Sequence, residues 1–335
     1  MPQDSRPSLS GKSLILATKP FAKEVRWKSW YYTLSTFFIM LALLAGTVWN
    51  YHWSLKIVCS VLGGLTVVRM FVIYHDHQHH AILDKSVPAK WLMTLFGLYI
   101  LAPTSIWKRS HDYHHKHNSK LFSASIGSYP IVTRKKFLEA APGEKRLYLV
   151  TRHPVMIFGG YISMFFVGMC IDSFRSNPSK HKDSLLALIL HLLAGAAIAY
   201  FGGWQMLLLT WIIPFTIACG LGAYLFYAQH NFPGVTFRDN QDWSYEGAAI
   251  ESSSYMKMNP VMRWFTANIG YHHIHHVNSR IPFYRLPEVM DAIPELQQAR
   301  TTSLNPVEMY RCLMLKIWDP EKGKMIRLNE LNSAA

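Results

Sequence analysis

An all-α membrane protein is the fold that three features of this 335-residue sequence predict. Residues 30–49 and 204–227 contain no Asp, Glu, Lys, Arg or His, and each is long enough to cross a hydrocarbon core, which takes about 20 helical residues. Charged residues make up 16% of the chain against 50% apolar, a balance that excludes disorder and is poor in charge for a soluble domain. Seventeen histidines are distributed very unevenly: thirteen fall in three tight clusters and at His230.

The elements follow in order. Residues 1–29 are basic and polar, without the apolar core of a cleavable signal, and are expected to stay on the cytoplasmic face. Residues 30–50 and 55–74 form a first hairpin, whose link at 50–55 carries no Lys or Arg. Arg69 lies near one end of the second span and is expected to snorkel to the interface or anchor a headgroup there. The histidine clusters must meet to serve one site, and parity then fixes the rest. His75 and His111 flank residues 91–107, so that stretch, with Pro103 near its end, dips in or lies flat and does not cross.

Three apolar stretches separate His111 from His272, so an even number of them must cross. The loop after 171 holds Arg175, Lys180 and Lys182 against Asp172 and Asp183, whereas 202–205 is uncharged. Residues 154–171 are therefore read as re-entrant or interfacial, and 184–203 with 204–227 as a second transmembrane hairpin. The prediction is four transmembrane helices in two hairpins plus two re-entrant or interfacial segments. A cytoplasmic helical cap (108–153 and 228–320) carries the histidine boxes, within one unit spanning 30–320 and followed by a tail at 321–335.

The chain has 34 Lys and Arg against 20 Asp and Glu, a net charge of +14. No nucleic-acid module accompanies it, and the basic residues flank apolar segments, so membrane orientation and anionic headgroups explain the excess and nucleic acid is not an expected partner. Cys59, Cys170, Cys219 and Cys312 form no CxxC pair, which excludes a zinc ribbon or disulfide framework. Gly220-Leu221-Gly222 lies inside an apolar span and reads as helix packing.

The histidine clusters carry the chemistry. Box one, His75-Asp76-His77-Gln78-His79-His80, offers His75 with His79 on one helical face and His80 beside them. Box two places His111, His114 and His115 at i, i+3 and i+4, and box three repeats that spacing with His272, His275 and His276. Imidazole suits Fe, Zn, Cu and Ni, and eight or more histidines exceed what one ion accepts, so two metal ions are the natural count. Iron is preferred, since a helical, membrane-embedded site has few uses for a hydrolytic zinc pair. Asp76 and Asp112 are candidates to accept the second N–H of a ligating imidazole, or are exposed cap residues. His77, His117 and His273 fall off the shared spacing, and His52, His153, His181 and His191 are isolated.

HxxxHH, HxxHH and HxxHH in this order, with a transmembrane hairpin between the second and third, resemble the membrane-bound fatty acid desaturase superfamily over roughly residues 30–320. The stretch from His272 to Pro282, with Phe283-Tyr284-Arg285-Leu286-Pro287, is similar to the acyl-lipid omega-6 (delta-12) group. The resemblance implies a non-haem di-iron centre on the cytoplasmic face, reached by an acyl chain in an apolar tunnel. Its ligands would be His75 with His79 or His80, then His111, His114 and His115, His272, His275 and His276, and His230 just after the last span.

It further implies O2 as co-substrate and a fatty acyl lipid or acyl thioester as substrate. No dinucleotide fingerprint and no HPGG haem motif is present, so electrons must come from an external donor, a ferredoxin or cytochrome b5 with its reductase. A bacterial inner membrane is the expected location, with the endoplasmic reticulum as the alternative. Breaking an unactivated methylene C–H needs a metal and O2, with the protein supplying position and a dry cavity. Loss of a second hydrogen gives C=C, and return of OH gives an alcohol. A hydroxylase, a ketolase or a terminal-alkene-forming decarboxylase on the same scaffold therefore stays open, as does a non-catalytic metal transporter or sensor.

Overall fold

The computed structural model describes residues 9–121 and 129–331. The first eight residues of the N-terminal segment, positions 122–128 of the expected cap and the last four of the tail lie outside them. After a short helix, α1 (Gly11–Thr18), two long apolar helices pair as a hairpin: α2 (Arg26–Gly46) and α3 (Trp53–Gln78). α3 is longer than the expected span, because helical hydrogen bonding runs on through the first half of box one and His79 N–H closes on the His75 carbonyl at 3.2 Å.

The stretch read as one segment at 91–107 is two helices, α4 (Val87–Tyr99) and α5 (Thr104–Lys116), bent by 91°. The break has a local cause. Leu101 takes a left-handed φ of 58°, and Pro103, which cannot donate a backbone hydrogen bond, stands at the N-cap of α5. Asp183 then holds the new helix start, accepting from Ser105 N–H at 3.0 Å and Ser105 Oγ–H at 2.5 Å.

The long run from Lys182 to Ala228 comprises α6 (Lys182–Leu207), a π-helical turn at Leu208–Ile212 and α7 (Ile213–Ala228). It is folded back on itself. Trp211 Nε1 lies 3.2 Å from His191 Nε2, although 20 residues of straight helix would separate them by about 30 Å. The reversal sits at Gly203, with φ 73° and ψ 179°, backbone space essentially reserved for glycine. Tyr200, Phe201 and Trp204 stand exposed around this turn, and Trp49 and Trp53 around the turn of the first hairpin. Such aromatic girdles belong at membrane interfaces.

Residues 154–171 form a short helix and a π-helical stretch, Tyr161–Asp172. This segment begins beside Arg152, hydrogen-bonded to Asn231, and is followed by Asp183 on Ser105, so both flanks meet the histidine-bearing end. It packs closely on α7: a Cβ on Gly160 would fall 2.7 Å from the Cys219 carbonyl, and one on Gly220 2.5 Å from that of Phe158. Gly220 is thus a packing glycine, as read. Gly222 is not, since a Cβ there would meet nothing closer than 3.9 Å.

Among the described residues, α2, α3 and the folded run Lys182–Ala228 are long and apolar enough to cross a membrane, with α4 and α5 qualifying only as a bent pair. Much of the leucine and isoleucine on α6 is exposed, as suits contact with acyl chains rather than water. Helix dominates, as predicted for an all-α protein, with two small additions. Tyr255–Lys257 (β1) pairs in parallel with Thr301–Ser303 (β2), and Ile317–Asp319 (β3) antiparallel with Lys324–Ile326 (β4).

Arg69 departs from expectation. It is buried, with its guanidinium donating to Thr36 Oγ1 at 2.9 Å and to the Trp264 carbonyl, and stacked over the Trp264 ring at 4.4 Å. It ties α3 to the chain before box three through that carbonyl and ring.

Candidate metal centre

Three helices supply the histidines. The C-terminal end of α3 presents His75 and His79, α5 presents His111, His114 and His115, and α8 (His272–Val277) presents His272, His275 and His276. His230 follows the end of α7. Nine of the ten predicted ligands converge in two buried groups. His75, His79, His111, His115 and His275 form one; His114, His230, His272 and His276 form the other. Within each group the candidate ligand atoms lie within 4.8 Å of one another. The groups adjoin, since the His115 and His276 rings stack with centroids 4.2 Å apart.

The tenth does not join them. His80 takes a left-handed φ of 58° once α3 has ended, and its half-exposed ring sits 2.8 Å from Asp84 Oδ1. The two box aspartates also separate. Asp76 is buried, with Oδ1 3.1 Å from His75 Nδ1 and Oδ2 accepting the Phe283 N–H at 2.7 Å. Asp112 instead faces outward and pairs with Lys108 at 3.1 Å, so it orients no histidine of either group. His273 lies between two members of box three but turns away, to the Leu296 carbonyl at 3.0 Å. His77 lies against the Ile82 carbonyl and His117 against that of Tyr113.

The donor chemistry fits metal ions. His230 Nδ1 faces the Ser252 carbonyl at 2.9 Å, so its N–H is spent there and Nε2 carries a bare lone pair. Yet His114 Nε2 and His272 Nε2 approach that same nitrogen at 3.0 and 2.8 Å. One lone pair accepts one hydrogen bond, so the contacts cannot both be satisfied by protons. His115 Nε2 stands in the same position between His111 at 3.2 Å and His275 at 3.0 Å. Protonation is no remedy. Burial first, and neighbouring imidazoles second, hold His79, His111, His114, His115, His272, His275 and His276 well below the usual histidine range. Burial takes His230 down to about 4. Neutral, lone-pair-forward imidazoles in two clusters are a donor set for two cations.

The walls around them are apolar. Trp107 stacks on His111 with centroids 4.7 Å apart, and Phe226 stands edge-on to the same ring. A gap opens between α3 and α7, lined by Val68, Phe71, Val72, Gly222, Leu225 and Phe226. It touches His75 of one group and His272 of the other. Neither Gly222 nor the Ser252 carbonyl was legible in the sequence: a glycine that leaves space and a backbone oxygen carry no motif.

Comparison with known proteins gives the family. Residues 51–305 match the family model described as fatty acid desaturase. A fatty acid desaturase from Bacillus subtilis (strain 168) is 28% identical over 94% of this chain and 90% of its own length. An sn-1 acyl-lipid omega-3 desaturase (ferredoxin) from Nostoc sp. (strain 36) is 25% identical over 92% and 87%. A Delta(12)-fatty-acid desaturase from Vernicia fordii is 24% identical over 78% and 70%. The matched span takes in all three histidine boxes and His230, and on that ground the chain belongs to the fatty acid desaturase family.

Proposed function

We propose that this chain is a membrane-bound acyl desaturase that uses O2 and a di-iron centre to introduce a C=C bond into an acyl chain. The observation that carries the reading is the apolar gap opening onto both histidine groups at once. The five-histidine group would hold one iron and the four-histidine group the other. The bound pair supplies, with O2 and two electrons, the oxidising power that an unactivated methylene requires.

The rest of the work falls to the chain's own residues. Val68, Phe71, Val72, Leu225 and Phe226 orient an acyl chain by contact and keep water from it. Asp76 and the Ser252 carbonyl fix the ring orientations of His75 and His230 through their Nδ1 atoms. Trp107 and Phe226 close the side of His111.

The relatives' names support an acyl-lipid substrate and a ferredoxin donor; a cytochrome b5 with its reductase is the alternative. In our reading both hairpins cross the membrane, four spans in all, with α4–α5 and 154–171 re-entrant. The histidine-bearing end and both termini then face the cytoplasm, in a bacterial inner membrane. Residues 30–320 act as one catalytic unit between an N-terminal segment and a C-terminal tail.

Expression in a host that makes only monounsaturated acyl chains, followed by gas chromatography of its fatty acid methyl esters, tests the reading. New dienes are expected, following the likeness of the box-three region to omega-6 types. New monoenes alone would keep desaturation but overturn the choice of an already unsaturated substrate. Hydroxylated chains or volatile alkenes with no new C=C within the chain would overturn desaturation itself.

A further inference from the structure

His230 is the one member of the two groups without a helical neighbour three or four residues away. Every other member is placed by helix geometry: His75 with His79, and the two HxxHH sets on α5 and α8. His230 stands beyond the end of α7, so something outside that helix must hold it.

The residues on either side of it are buried amides tethered to different parts of the chain. Gln229 donates to the Ile269 carbonyl at 2.9 Å. Asn231 donates to the carbonyls of Cys312 at 2.7 Å and Leu315 at 3.2 Å, and its Oδ1 accepts from Arg152 Nη2 at 2.6 Å. Arg152 is only 1% exposed. Its Nη1 donates to the Tyr129 carbonyl at 2.9 Å, and Tyr227 and Tyr148 present their rings to it at 5.0 and 5.5 Å. Lys316, also buried, donates to the Arg152 carbonyl.

Among the described residues neither cation has a carboxylate within ion-pairing distance. Burying two such charges is costly, and an apolar filling of the same volume would hold four chain segments together more cheaply. What an apolar filling lacks is a fork of N–H donors, one nitrogen directed at the Asn231 amide oxygen while the other holds the Tyr129 carbonyl.

We infer that Arg152, acting through Asn231, is a positioning residue for His230 and so for the four-histidine metal site alone. The inference rests on the proposed two-metal centre. The five-histidine group has no member on this segment, so its affinity for metal should not depend on Arg152.

The test uses the full-length chain, purified in detergent, loaded anaerobically with ferrous iron and challenged with increasing chelator. Wild type should retain two irons. Arg152→Met should release one of them at roughly 10- to 100-fold lower chelator, the range typical when a residue orienting a ligand is lost, while the second iron stays at its wild-type midpoint. Arg152→Lys, which keeps the charge but not the fork, should fall between, and it carries the test if the methionine chain does not fold. Two irons at wild-type resistance in the variant would overturn the inference. Parallel loss of both irons would also overturn it, by marking Arg152 as generally structural. A wild type that binds no metal would overturn the proposed centre itself, a result distinguishable from either.

Discussion

Box one shows what spacing can and cannot decide at the scale of single residues. Its sequence offers His79 and His80 equally, as the i+4 neighbour of His75 and the residue beside it. The choice depends on where α3 stops, and His79 still closes a helical hydrogen bond whereas His80 is already left-handed. His79→Ala should therefore cut activity to below about one hundredth and abolish tight metal retention, while His80→Ala should keep both within about twofold. The reverse ranking, read by product formation and iron content, would return His80 to the site. The aspartates make the same point. Asp76 and Asp112 each follow the first histidine of a box, and the boxes themselves do not distinguish them. The Phe283 amide does: it comes from over 200 residues away to hold Asp76 against His75, whereas Lys108 one turn back draws Asp112 outward. The grouping of the histidines was legible because three-dimensional proximity on a helix repeats in sequence. Long-range partners do not repeat, and Arg152, Asn231 and Ser252 left no signal.

Among the elements, charge distribution read the two hairpins well. The uncharged link near 202–205 is where α6 turns back, and glycine stands there because φ 73° with ψ 179° is accessible to little else. Parity predicts that residues 91–107 do not cross, and the structure shows there a 91° break at Leu101–Pro103, the form of a broken span or of a re-entrant loop. The π-helical character of Tyr161–Asp172 was not legible, since hydropathy does not distinguish helix types. Arg69 was misjudged because hydropathy places a cation by depth alone, while the structure places it by the carbonyl and rings at hand. Orientation is open to direct measurement. In a chain whose native cysteines are replaced, single cysteines at Ser176 and Tyr200 should label from opposite faces of sealed vesicles, Ser176 with the histidine-bearing side. Labelling of both from one face would mean that residues 182–203 do not cross, and the two-hairpin reading would fall.

Over the whole molecule, two apolar hairpins serve to bring three helix ends and one isolated histidine to a single buried place. Nine imidazoles so arranged place ring nitrogens such as that of His230 in contacts that protons cannot all satisfy, and metal loading should accordingly stabilise the fold, because the site exists only in the folded chain. The two-group division also accounts for the count: five and four nitrogens are each within the reach of one ion, whereas nine are not. Elemental analysis combined with Mössbauer spectroscopy of active protein, purified without added metal, addresses this most directly. Two irons per chain, both in nitrogen-rich environments, are the expected result. Stoichiometric zinc with no iron, in protein active as isolated, would contradict the di-iron assignment.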